Sequence, residues 1–170
     1  MFSIGSKVMH PLHGLGTVES IEHEVILGQE CEFASIYFQN DRLRIKVNNS
    51  RKNAMIRPLV NKEDIGKIIS HLQSADSPLP TRPSDRYNFN LRKVKSCDVY
   101  QLAEVIRDLT VYSKAHKLPP KELQMLKQAR KTLATEFSFV TDRDEEAIES
   151  EIDEICRSNA EVSVSASDRH

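Results

Sequence analysis

Tryptophan is absent from the 170 residues, glycine occurs only five times, and the three cysteines stand far apart at positions 31, 97 and 156. No apolar run approaches the roughly 20 residues that a membrane-crossing helix requires. The opening Met1-Phe2-Ser3-Ile4-Gly5-Ser6-Lys7 lacks the basic-then-apolar plan of a signal peptide, so a cytoplasmic location is expected. An odd number of cysteines without a C-x-x-C pair argues against a disulfide framework and against a zinc site. Also missing are a P-loop, a Gly-rich dinucleotide turn, G-x-S-x-G and H-E-x-x-H. The only close histidine pair, His10-Pro11-Leu12-His13, lies in a proline- and glycine-bounded turn with no carboxylate or thiolate nearby in sequence. The carboxylates between Asp142 and Glu154 read as the solvated face of an acidic helix. No enzyme activity, metal or cofactor is expected.

What the chain does have is an uneven distribution of charge. Its net charge of −1 conceals a basic middle and an acidic end. Between Thr81 and Val140 twelve Lys and Arg face six Asp and Glu; between Thr141 and Arg157 two face eight. Such asymmetry points to recognition of charged partners more than to any fold.

Residues 1–59 have the period-two pattern of strands. Lys7–His10 is short, and Pro11-Leu12-His13-Gly14 turns the chain into a segment from Gly16 to Leu27. A hairpin turn is expected at Gly28-Gln29. Cys31–Phe38 follows with Ala34, Ile36 and Phe38 on one face, and Asn40-Asp41 turns into the alternating Leu43-Arg44-Ile45-Lys46-Val47. A last strand is expected around Ile56. So many short strands in under sixty residues predict a small curled sheet or barrel.

After Pro58 the period becomes helical. Asn61-x-x-Asp64 resembles a capping box before Ile65, Ile68, Ile69 and Leu72. Ser77–Pro83 holds three prolines and is expected to be a linker or hinge. A short helix capped by Ser84 would carry Tyr87, Leu91 and Val94; one capped by Asp98 would bury Leu102, Val105, Ile106, Leu109 and Tyr112. Pro119-Pro120 opens a fourth, with Leu123, Leu126, Arg130, Leu133 and Phe137 in one stripe. Thr141-x-x-Asp144 starts a fifth, carrying Ile148, Ile152 and Ile155. From Ser158 onward the residues are small and polar, and a disordered tail over 158–170 is expected. Strands followed by helices give an α+β chain in two units, 1–59 and 60–157.

Two groups of basic residues stand out. Arg44 and Lys46 occupy the polar side of a strand, where they either guard an exposed edge or offer it to a partner's sheet. Arg82, Arg86, Arg92, Lys93 and Lys95 cluster on one short helix with Tyr87 and Phe89 between them, a composition suited to phosphates and groove walls or bases.

The segment from Phe2 to Gly16, FSIGSKVMHPLHGLG, resembles the opening of the CarD/CdnL family of bacterial transcription regulators, F-x-x-G-D-x-V-V-Y-P-x-H-G-x-G. Ile21-Glu22, Ile26-x-Gly28 and Ile56-Arg57-Pro58 match that family's first unit. Arg86-Tyr87, Asn90-Leu91, Ser96-x-Asp98, the run from Ala103 to Leu109, and Ala129-Arg130-x-x-Leu133 keep the order and spacing of its second. The resemblance covers about residues 2–155. It implies a Tudor-like barrel that binds the RNA polymerase β subunit and a bundle of about five helices that contacts promoter DNA at the upstream edge of the melted bubble. On that basis Glu24, Arg44 and Lys46 are the expected polymerase-binding residues; Arg82, Pro83, Arg86, Tyr87, Asn88 and Lys95 are the expected DNA-binding ones. Two departures matter. Glu24 falls where an arginine is common, and Pro83 stands where the family carries a tryptophan wedge. An alternative reading is a polymerase-binding adaptor that recruits another protein through its helices.

Overall fold

Alternation of apolar and polar side chains along the first sixty residues produces five antiparallel strands: β1 (Lys7–His10), β2 (Gly14–Ile26), β3 (Gln29–Phe38), β4 (Leu43–Asn48) and β5 (Arg57–Pro58), in sheet order β4-β3-β2-β1-β5. The computed structural model describes the backbone of residues 1–52 and 55–167, with side chains through Asn159. Val8, Val18, Ala34, Ile36, Phe38 and Val47 turn inward at period two, and Ile56 joins them just before β5. Gly16 is required by close approach: a Cβ there would lie 2.6 Å from Phe38 Cε1. The hairpin turn falls one residue earlier than expected. Leu27 and Gly28 take it with φ of 51° and 78°, the doubly positive conformation whose twist suits two-residue hairpins. A register shift between Val18 and Ser20 bulges Glu19 out of the ladder. Beyond β4, the Asn49 side chain accepts from Phe2 N (2.7 Å) and donates to Phe2 O (2.9 Å), fastening the N-terminal segment to the end of that strand. The result is a curled α+β chain's first unit of the Tudor-like kind.

The His10–His13 turn is structural. His10 is buried, its Nδ1 accepting the backbone N–H groups of Leu12 (3.1 Å) and His13 (3.2 Å). The carboxylate that sequence proximity did not reveal is Asp41, from the β3–β4 turn, whose Oδ2 lies 2.6 Å from His13 Nδ1. Among the described residues no group of three or more potential ligands could hold a metal.

The second unit begins at Val60. A 3-10 turn (Lys62–Asp64) leads into α1 (Ile65–Gln73), followed by α2 (Pro83–Lys95), α3 (Val99–Ala115), α4 (Pro120–Thr141) and α5 (Glu145–Ser167). α3 is the axis of this unit. It packs against the other four helices, and Leu102, Ala103, Val105, Ile106 and Leu109 are buried along it. Asp98 caps it as expected, accepting from Tyr100 N and Gln101 N at 2.8 and 3.1 Å.

Other helix ends differ from the sequence reading. Asn61 makes no side-chain cap, and α1 starts only after the 3-10 turn. Pro83, not a residue after Ser84, opens α2, because a first-turn proline loses no helical hydrogen bond. Thr141 closes α4 instead of opening α5; Asp142 is left-handed (φ 54°), and Asp144 supplies the cap by accepting from Ala147 N at 2.9 Å. The tail expected from Ser158 is helical as far as Ser167. Polar composition alone does not end a helix when neither glycine nor proline interrupts it. Residues 168–170 of that tail lie outside the described residues.

Burial, then the neighbouring His13, lowers the His10 imidazole from its ordinary 6.5 to about 4. The unfolded chain therefore takes up a proton between pH 6.5 and 4 that the folded chain refuses. Stability is full above pH 6.5 and falls toward pH 4, by on the order of 2 kcal/mol. His10→Asn, whose amide oxygen can accept the same N–H groups, should remove this component. The difference between wild type and variant in urea denaturation midpoints, followed from pH 7 to pH 4, measures it.

Candidate protein and nucleic-acid interfaces

In the first unit the expected contact residues come together on the outward face of the sheet. β4 is an edge strand, and Arg44 and Lys46 point outward beside Tyr37 and Phe33 of β3. Both cations lean across β3 toward β2. Arg44 stacks 4.6 Å from the Tyr37 ring centre and reaches Glu19 at 2.8 Å. Lys46 passes over Phe33 to Glu22 at 2.7 Å and to Glu24. The bulge at Glu19 presents the first of these carboxylates. Glu19 holds the Arg44 guanidinium above its ordinary range, and Glu22 and then Glu24 do the same for the Lys46 ammonium. Exposed pairs of this kind contribute little stability. Their consequence is geometric: the two cations are drawn over the sheet and away from the outer hydrogen-bonding edge of β4.

In the second unit the basic residues divide into buried and exposed sets. Arg86 belongs to the first and corrects the expectation that it faces DNA. It is 1% exposed, and its Nε and Nη2 donate to Glu122 at 3.1 and 3.0 Å. Its Nη1 donates to the carbonyls of Pro80 and Thr81, and its guanidinium lies 4.2 Å from the Tyr112 ring centre. A guanidinium so enclosed positions the chain and meets no phosphate. Arg107 does similar work for the residues just before. It donates to the His71 carbonyl, to Ser74 Oγ (2.7 Å) and to Ser77 Oγ (3.0 Å), while Asp108 accepts from Ser77 N at 3.1 Å. Burial raises Asp108 above the usual carboxylate range, with Arg107 and the Ser77 N–H acting against it. Two buried arginines thus tie the proline-rich segment, expected as a linker or hinge, to the helices. Lys93 is also engaged, at 2.8 Å from Glu104. Burial opposes ionisation of Glu104, but hydrogen bonds from Lys93 and His71 overcome it and leave that carboxyl below its ordinary range.

The same contacts correct two helix faces. α2 buries Arg86 and Asn90, leaving Tyr87, Leu91 and Val94 half-buried, and α4 buries Glu122 while Leu123 is 40% exposed. The signal for Glu122 was present: it stands midway between Leu118 and Leu126 in an i, i+4 apolar series, a place for a carboxylate only if it is paired.

Arg82, Pro83, Asn88, Arg92 and Lys95 are exposed, and Tyr87 is half-buried. Arg82 lies 3.8 Å from Asp85; neither Arg92 nor Lys95 has an ion pair among the described residues. Lys121, at the start of α4, sits 6.0 Å from the Tyr87 ring centre, and Lys127 and Lys131 continue that helix's exposed face. The exposed cations of α2 and α4 that have no ion pair among the described residues are therefore Arg92, Lys95, Lys121, Lys127 and Lys131, of which only Lys95 is among the six expected DNA-binding residues.

Residues 2–60 match the CarD-like/TRCF RID domain, and residues 67–153 match the CarD C-terminal domain. The chain belongs to the CarD family of transcription regulators. It is 28% identical over 151 residues to a Bacillus subtilis (strain 168) protein named "Putative transcription factor YdeB", covering 88% of this chain and 99% of that protein. Against this CarD-type frame, α5 extends beyond the matched region, and its Asn159 donates to the Ser74 carbonyl at 2.6 Å, adding a further tie to the strapped segment. Among the described residues no helix is long and apolar enough to cross a membrane.

The Arg86–Glu122 pair should reveal itself in stability. Either Arg86→Met or Glu122→Leu alone should cost about 3–5 kcal/mol, since each leaves a buried charge unpaired. The double variant should recover most of the loss but not all, because the Pro80 and Thr81 carbonyls lose their donor. Urea denaturation of the three variants measures this.

Proposed function

We propose that this CarD-type chain regulates transcription initiation by binding the RNA polymerase β subunit through its first unit and promoter DNA through its second, at the upstream edge of the melted bubble. The observation that carries the reading is the set of exposed cations on α2 and α4 that have no ion pair among the described residues, where most of the other basic side chains are engaged. Such cations can neutralise phosphates without first breaking an internal contact. For the polymerase, support comes from β4. Among the described residues its outer edge is unpaired within the sheet, and the side chains that would guard it are held back by β2, which favours addition of a partner's strand.

Anchoring by phosphates does not by itself favour melted DNA; only a contact stronger in the open state shifts that equilibrium. Pro83 is exposed at the first turn of α2, where the family's wedge would stand, and offers less apolar area than an indole. Less of the unstacking cost, a few kcal/mol per step, is then recovered. A second reading, an adaptor that recruits another protein, is favoured by the acidic exposed side of α5, where Glu146 and Glu154 have no ion pair among the described residues.

Lys46→Glu should weaken binding to isolated β subunit by roughly 1–3 kcal/mol with the fold intact. Unchanged affinity would move the contact off this strand. On a single promoter with protein at saturation, Pro83→Trp should lengthen open-complex lifetime relative to wild type. Binding of promoter duplex should fall with salt at a slope of about −2 to −4 in log K against log salt. A slope of zero favours the adaptor.

A further inference from the structure

We infer that the exposed side of α2 holds one unpaired nucleotide of DNA, its base against Phe89 and its flanking phosphates on Arg92 and Lys95. This rests on the promoter-DNA reading above and specifies what that surface recognises.

A shallow groove of about 550 Å³ runs along this helix, lined by Phe89, Arg92 and Lys95 together with Asn88, Asp85 and Pro80. Pro80 is not free to drift, since Arg86 holds its carbonyl from inside the unit. Phe89 presents an aromatic surface whose π system is engaged by the Lys93 ammonium, 4.7 Å from the ring centre. Lys93 is itself paired with Glu104 of α3, so the ring is linked to the body of the unit through that cation. Arg92 and Lys95, at i and i+3, stand about 5–6 Å apart at Cβ, close to the spacing of successive phosphates on an extended strand. Among the described residues neither cation is committed to a carboxylate. An aromatic platform beside a short track of free cations is the arrangement that binds single-stranded nucleic acid without sequence preference. Paired bases in a duplex keep their faces in the stack and can offer this groove only phosphates. An acidic peptide would use the cations but would gain little from a flat ring.

The test uses the full chain and three fluorescent probes: a blunt duplex, the same duplex ending in a few unpaired nucleotides with 2-aminopurine as the first unpaired base, and an acidic peptide. The fork should bind about ten-fold more tightly than the blunt duplex, with 2-aminopurine emission quenched by stacking. Phe89→Leu keeps apolar bulk but removes the flat face; it should abolish both the preference and the quenching while leaving duplex affinity within two-fold. Phe89→Trp should retain them. Arg92→Gln with Lys95→Gln should weaken fork and duplex alike. Equal affinity for fork and duplex, or a preference that survives Phe89→Leu, overturns the inference while leaving duplex recognition standing. Binding of the peptide but of neither DNA overturns both.

Discussion

The helical unit is organised by a charge that never meets solvent. Arg86 projects from α2 into a space bounded by Glu122 of α4, the Tyr112 ring of α3 and the carbonyls of Pro80 and Thr81. In one guanidinium, three helices and a connecting segment meet. A lysine could not do this, because it lacks the planar fork that serves a carboxylate and two carbonyls at once. The arrangement also sets the rotation of α2. With Arg86 and Asn90 inward, Asn88, Arg92 and Lys95 are turned outward, so the exposed cations of α2 owe their orientation to another basic residue spent inside.

The pattern recurs one turn of chain earlier. Arg107 and Asp108 take up Ser74, Ser77 and the end of α1, so that the head of a segment with three prolines is held through the Ser77 N–H and hydroxyl by buried side chains. Proline removes donors and fixes φ, and such a stretch cannot build secondary structure of its own. Order has to be supplied from outside it. Asn159, donating to the Ser74 carbonyl, contributes from α5.

Electrostatics in the sheet unit has the opposite outcome. There the cations remain at the surface, yet Glu19, Glu22 and Glu24 pull them across β3 and away from the free edge. Glu24, a departure from the family pattern at sequence level, is part of the same constellation as Lys46. A partner approaching this face meets both signs of charge, which makes orientation selective and limits long-range attraction.

The sequence by itself determined the strand and helix periods, the change of architecture after Pro58, the Asp98 cap and the family resemblance. Each of these is local, carried by the spacing of apolar residues or by a contiguous motif, and so survives being read along the chain. It placed Ile68, Leu72, Leu109, Leu133 and Ile152 in the core for the same reason. What only the tertiary structure decided was which polar side chains are free. Arg86 and Arg92 look alike in sequence, six residues apart on one helix. That one is paired with Glu122 and the other has no ion pair among the described residues lies outside the reach of any local pattern. Pairing between distant side chains depends on the packing of helices, and that packing decides whether a cation serves the fold or faces a ligand.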